Sequence, residues 1–528
     1  MRCSSNLAAI LKTNFPALNL GLLIVASFLM GTIVPAQAPV NGKGQEDVRS
    51  IVKTATELTR AGLFADAETK LRHAIELEPT RADAKLELAY VLTKQRKLRE
   101  AYDISFEVAQ GDKTNAHAFA VLGMTLLAAG RFKEARTILF NSIQLSRKEA
   151  LAWTGFGLLD FYENKIAESM NNLREAVAYE PKEPDYLFAL AQVAARAEQY
   201  QEAADSYEKF LNVSRSTDTD RRERIQGLIN FLHFLGHTGE LYRSTGKDQT
   251  SVQFELVGNR PIVTLHINDR PEPLKFVLDT GSGISVISDE TAKRLKIKPV
   301  TRGGYARGIG GDGKFEIVYG FLKTISIGDV TLKSVPVYLR KFHNDGPSVD
   351  GYIGLALISK FLTTIDYGQS RFALTRREAD TREFKENSDL SLPLRLTSSG
   401  FLSGEVELQG VESPLNFIVD TGASVSVISD RVANEDSLSQ FVNQEKLRVV
   451  GSAGVTDDVR TFKLPRVTFG KNTCTDVTAV ALNLDLINEA SGFEQAGILG
   501  GNFLKNYRLT FDFKNSKVTF VSTKPEKE

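Results

Sequence analysis

The feature that most limits the fold is internal repetition with a period of 34 residues across the first half of the chain. Starting points near Val48, Ala82, Ala116, Ala150 and Pro184 align without a gap. A small residue recurs near the middle of each unit: Ala67, Ala101, Ala135, Ser169 and Ala203. Three positions before it stands an apolar or aromatic one: Phe64, Leu98, Phe132, Ile166 and Tyr200. Seven positions after it come Ala74, Val108, Ser142, Ala176 and Phe210. One such unit cannot bury its apolar face alone, so the units must stack as a solenoid of helix pairs. Small residues let paired helices approach, with Leu122-Gly123 and Phe156-Gly157 at close-packing points, and Pro79 and Pro181 end units one and four.

In length and residue pattern the array resembles the tetratricopeptide repeat, with five units over 48–217 and a capping helix over 218–240. The resemblance implies a scaffold that binds peptide or protein, its first helices lining a concave groove. Met124, Leu127, Leu158, Phe161 and Tyr162 form an apolar strip at groove positions. Two occupants remain open: an extended peptide or protein partner, or the rest of this chain.

After the polar stretch RSTGKDQTS (243–251) helical spacing gives way to short alternating strands rich in β-branched and aromatic residues. Two blocks, 252–378 and 392–523, flank a charged linker at 379–391 and match each other. One runs Pro273-Leu-Lys-Phe-Val-Leu into Asp279-Thr280-Gly281-Ser282; the other runs Pro414-Leu-Asn-Phe-Ile-Val into Asp420-Thr421-Gly422-Ala423. Each has a late glycine, Tyr352-Ile353-Gly354 and Ile498-Leu499-Gly500, and then an Asp in a closing strand, Asp366 and Asp512. One Asp-Thr-Gly would mean little; two in the same long context point to an internal duplication. The blocks resemble the aspartic peptidase superfamily, nearest to retropepsins in lobe size. The expected architecture is therefore multidomain: an all-α tetratricopeptide-repeat solenoid followed by a bilobal all-β aspartic-peptidase (acid protease) fold.

The resemblance implies the chemistry. Two facing carboxylates hold a water; because close like charges cannot both ionise cheaply, one keeps a proton and the pair works as general base and general acid. Asp279 and Asp420 are the catalytic candidates, and the pair titrates as a unit, so their two roles are not assigned from sequence. Thr280 and Thr421 are expected to hydrogen-bond across the lobe interface. Gly281 and Gly422 allow tight turns, and Ser282 is placed to hydrogen-bond a carboxylate, which Ala423 cannot do. The dyad is expected within one chain, since a short linker raises the effective concentration of the partner lobe; pairing between chains is the other arrangement. Flap hairpins are expected at Gly303–Phe315 and Val449–Arg460, with Tyr305 and Ile309 as substrate contacts. Gly308, Gly310 and Gly313 also fit a dinucleotide-loop spacing, but KFEIVYGFLKTISI after them reads as strand, not helix.

Other function classes find little support. Lys+Arg and Asp+Glu both number 65, so nothing suggests a nucleic-acid partner. Cys3 and Cys474 are the only cysteines, too few for a cysteine zinc site. His233 and His237 lie four apart but lack a third ligand, so neither a metal nor another cofactor is expected. A positive start and an apolar stretch from about Ala17 to Val34 read as an export signal over 1–38, or as a retained membrane anchor. Both readings place the rest outside the cytoplasm, periplasmic or extracellular. The expected function is an exported aspartic endopeptidase acting on protein or peptide, its repeats recruiting a substrate or protein partner. The rival is an exported scaffold whose degenerate lobes only bind.

Overall fold

The computed structural model describes residues 47–214, 219–343, 348–377, 390–412 and 415–523. The stretch read as an export signal or membrane anchor (1–38) and most of the charged linker lie outside the described residues. Among the described residues no helix is long and apolar enough to cross a membrane.

Among the described residues eleven helices come first. The first helices of the five pairs are Val48–Arg60, Ala82–Lys94, Ala116–Ala128, Ala150–Tyr162 and Pro184–Arg196. Their partners are Phe64–Leu77, Leu98–Gly111, Phe132–Leu145, Ile166–Tyr179 and Tyr200–Val213, and Thr219–Thr238 follows as a cap helix. The recurring small residues sit where the helices meet: Ala67, Ala101, Ala135, Ser169 and Ala203 are wholly buried. A side chain at Gly123 would come within 2.6 Å of Leu139, and one at Gly157 within 2.5 Å of Leu173. Where the small residue is serine, its hydroxyl is satisfied across the contact: Ser169 donates to the Gly157 carbonyl at 2.6 Å. Each pair turns on a residue with positive φ, again every 34 positions: Gly62, Arg96, Gly130, Asn164 and Glu198. Only two of these are glycine, so composition does not mark the turn.

The rest of the chain is β-structure in two lobes with one topology. In lobe 1, Leu274–Leu278 pairs in parallel with Gly351–Ile353, which pairs antiparallel with Val286–Ser288, which pairs in parallel with Val330–Arg340. In lobe 2 the same path runs through Leu415–Val419, Gly497–Leu499, Ser426–Ser429 and Asn472–Leu482. The late glycines sit where this path crosses itself: a side chain at Gly354 would meet the Ile284 backbone at 2.7 Å, and one at Gly500 the Val425 backbone at 2.6 Å.

The lobes share a sheet. Strands Leu390–Pro393, Lys517–Ser522, Tyr507–Asp512, Phe361–Asp366, Arg371–Arg376 and Gln249–Val257 lie side by side, drawing on both lobes. Thr364 and Thr510 meet across it, their hydroxyls 3.2 Å apart. Asp366 and Asp512 cap turns here, accepting from the amides of Gln369 and Asn515. Two boundaries differ from the sequence reading. The first block begins before 252: in the polar stretch 243–251, Arg243–Gly246 pairs with Val330–Lys333, and Gln249 opens a strand. Leu390 and Ser391, assigned to the linker, begin the outermost strand of the shared sheet. Arg243–Gly246 pairs on one side with Val330–Lys333, and a strand at such an edge tolerates polar residues.

Candidate active site

Each Asp-Thr-Gly leaves the end of an apolar strand and turns immediately. The Asp279 amide donates to the Ile353 carbonyl at 3.0 Å, and that of Asp420 to Leu499 at 2.9 Å, so each loop is tied to the strand beside it. Thr280 and Thr421 are wholly buried and grip each other's loop. Thr280 Oγ1 donates to the Val419 carbonyl at 2.6 Å and accepts from the Thr421 amide at 3.1 Å. Thr421 Oγ1 donates to the Leu278 carbonyl at 2.7 Å and accepts from the Thr280 amide at 3.2 Å. Four reciprocal bonds in a dry interface define the relative position of the two loops.

Above them the carboxyls of Asp279 and Asp420, from one chain, face each other within hydrogen-bonding reach. Gly281 and Gly422 stand against the opposite lobe's aspartate; a Cβ at Gly422 would lie 2.6 Å from Asp279 Oδ1. Burial raises both carboxyls above the ordinary aspartate value, and for Asp279 the charge of Asp420 adds to it. Amide donors differ between the two. Asp420 Oδ1 accepts from Gly422 N at 2.7 Å and Ala423 N at 3.2 Å, whereas Asp279 Oδ1 accepts from Gly281 N at 3.0 Å. Charge is therefore better stabilised on Asp420, and the shared proton belongs with Asp279. Ser282 does not take the expected part: its hydroxyl donates to the Ile284 carbonyl at 2.8 Å, closing a local turn instead of reaching a carboxylate.

Two hairpins cover the pair. Thr301–Arg307 with Lys314–Ile327 forms one, and Val442–Val450 with Val455–Phe469 the other. KFEIVYGFLKTISI is the second strand of the first hairpin, so the dinucleotide reading has no helix to rest on. The tips bond to each other: Ala453 N donates to the Ile309 carbonyl at 2.8 Å, and Gly311 N to Val455 at 3.1 Å. The Ile309 side chain crosses into an apolar cluster of lobe 2 with Val480, Leu482 and Ile498. Tyr305 is 53% exposed on the first hairpin, opposite Glu316, and lines the outer part of the same cavity.

That cavity extends well beyond the cleft. It encloses about 2210 Å³ and is lined by the dyad, both flap tips and the inner face of the repeats, including Tyr90, Met124, Leu158 and Gln192. The apolar strip is divided. Met124 and Leu158 remain half-buried on the cavity wall, while Tyr162 is taken by lobe 2 and Phe161 is wholly buried beneath Arg196. Tyr162 packs on Phe493 at 5.1 Å, and Phe161 lies under the Arg196 guanidinium at 3.8 Å, which donates to the carbonyls of Thr397 and Ser398. The sequence had left this strip open between a partner and the rest of this chain, and for Tyr162 it is the rest of this chain. Sequence reasoning passed over Arg340, whose guanidinium bears on Asp279 from the end of a lobe 1 strand. A signal existed: Arg340 interrupts the apolar alternation of VPVYLRKF at a position where the second block has Leu482.

A family model described as aspartyl protease matches residues 263–357 and 404–503. A tetratricopeptide-repeat model matches residues 52–117 and 154–219. A curated protein, the type IV pilus assembly protein PilF of Pseudomonas aeruginosa, is 22% identical over 171 residues, 32% of this chain and 68% of that protein. Among solved structures, a thermophilic repeat protein of Thermus thermophilus is 19% identical with a TM-score of 0.30 over 34% of this chain and 98% of its own. The solved PilF structure from Pseudomonas aeruginosa is 19% identical with a TM-score of 0.27 over 36% and 86%.

Proposed function

We propose that this chain, in which tetratricopeptide repeats precede an aspartyl protease region in two segments, is an exported aspartic endopeptidase that hydrolyses extended polypeptide at the Asp279/Asp420 pair. The observation that carries the reading is that pair: two carboxyls from duplicated loops, facing each other, fixed by the Thr280/Thr421 grip and covered by two flaps.

The proposed cycle starts with one proton on the dyad, held by Asp279. A water between the carboxyls gives a proton to Asp420 as its oxygen attacks the scissile carbonyl carbon. Asp279 gives its proton to the carbonyl oxygen, leaving a gem-diol. Asp420 then protonates the amide nitrogen, the C–N bond breaks, and one gem-diol hydroxyl returns its proton to Asp279. The dyad ends as it began. Entry requires the hydrogen bonds between flap tips to open, as lids do in other enzymes. The repeats serve as an extension of the cleft, since their inner face and the dyad line one cavity. Export rests on the apolar stretch before Val34, and sequencing the N-terminus of the secreted protein tests it.

Incubation with an unfolded protein across pH 3–8 tests the mechanism. Cleavage is expected from the parent, with Asp279→Asn and Asp420→Asn each reduced by roughly a thousandfold. Half-activity in either variant would mean that the lobes do not work as a pair. Intact folding with no cleavage at any pH would support the binding scaffold instead.

A further inference from the structure

Because the lobes share one topology, strand register identifies equivalent wall positions. Val286 and Ser288 pair with Tyr338 and Arg340 in lobe 1, and Val427 and Ser429 pair with Val480 and Leu482 in lobe 2. Arg340 thus stands where lobe 2 has Leu482, and Tyr338 where it has Val480. Phe342 and Tyr352 likewise replace Leu484 and Ile498. In lobe 2 these positions form one apolar wall, completed by Ile309 from the opposite flap. The same wall in lobe 1 is aromatic with a single charge at its centre.

That charge is poised for a ligand. The Arg340 guanidinium lies 5.2 Å from the Phe315 ring at the flap and 5.7 Å from the Phe342 ring. It lines the cavity that holds Asp279. Its Nε is shielded from solvent without a hydrogen-bond partner, and among the described residues no carboxylate forms an ion pair with it. A shielded donor with no acceptor is costly, and a guanidinium flanked by rings offers a fixed fork that suits a carboxylate. Asp279 is the nearest acid that influences it, but that group is committed to Asp420.

We propose that Arg340 makes the lobe 1 wall a carboxylate-binding subsite, so that the preferred polypeptide carries an acidic side chain on one side of the scissile bond and an aliphatic one on the other. The inference rests on the peptidase reading for its meaning but can be measured without turnover.

The test uses peptide pairs that differ only by Glu or Gln at each position around the cut. Hydrolysis is followed with the parent chain, and binding with the full-length Asp420→Asn variant. Glu is expected to be favoured over Gln roughly tenfold or more at a single position in both measurements. The ratio should fall to near one in Arg340→Leu, which copies lobe 2, and survive in part in Arg340→Lys. A ratio near one in the parent, or one unchanged by Arg340→Leu, overturns the subsite. If Arg340 only tuned the dyad, Arg340→Leu would shift the pH profile for both peptides equally, which also overturns it. Selective binding without any hydrolysis would sustain the subsite while removing the peptidase.

Discussion

Thr280 and Thr421 show how much a single hydroxyl controls here. Thr280→Val keeps the shape but removes the donor to Val419 and the acceptor for the Thr421 amide, leaving two buried backbone groups unpaired. A loss of about 2–4 kcal/mol is expected by urea unfolding; a loss under about 0.5 kcal/mol would show that the grip is dispensable. The dyad makes an opposite, pH-dependent prediction. Unfolded, Asp279 ionises near the ordinary value of 3.8; folded, burial and Asp420 keep it protonated to higher pH. Above that value the folded chain binds more protons than the unfolded chain, so the dyad's contribution to stability falls as pH rises from there through the raised value. Asp279→Asn removes this penalty. Its melting temperature should exceed the parent's at pH 7, with the gain gone near pH 3.5; an equal gain at both pH values contradicts the assignment.

At the scale of elements, the flaps are controlled from two directions. Their tips hold each other, and Gly310, at φ +91°, lies directly against the Gly454 carbonyl. Gly310→Ala should lower kcat/KM with little change in melting temperature, because the strain falls on the tip. The base of the first flap rests on the cap helix, where Gly227 meets the backbone of Arg302 and Gly303. Alanine in place of a helical glycine ordinarily stabilises by about 1 kcal/mol. Here backbone stands on both sides and cannot yield, so Gly227→Ala is expected to destabilise and to lower cleavage. A stabilised variant would show that helix and flap are not in firm contact.

The whole molecule is organised by the turns of the repeats. Arg96 donates to the Asn488 carbonyl, Gly130 packs against Asn416, Asn164 donates to Ser516 Oγ at 3.1 Å, and Glu198 pairs with Lys360. Four successive turns thus dock on the two β lobes. Phe493 completes the joint: it belongs to lobe 2 yet is wholly buried in the repeat core, 4.9 Å from the Phe132 ring. Phe493→Ala should cost about 3–5 kcal/mol and split thermal unfolding into two transitions, one for the repeats and one for the lobes. A single unchanged transition would mean that the joint contributes nothing to cooperativity.

Local pattern by itself determined the elements. The 34-residue period carries the helix starts at Val48, Ala82, Ala116, Ala150 and Pro184, because burial against a neighbouring unit repeats with the unit. The two Asp-Thr-Gly contexts carry the paired lobes, because crossing strands need glycine wherever backbone meets backbone. Outside the two Asp-Thr-Gly loops, tertiary structure alone decided what faces what. Arg96, Asn164, Glu198 and Phe493 carry no mark in the sequence of what they touch, and 243–251 stands out there only as a polar stretch. Each acquires its part from a surface distant in sequence, and shape complementarity between such surfaces leaves no period along the chain.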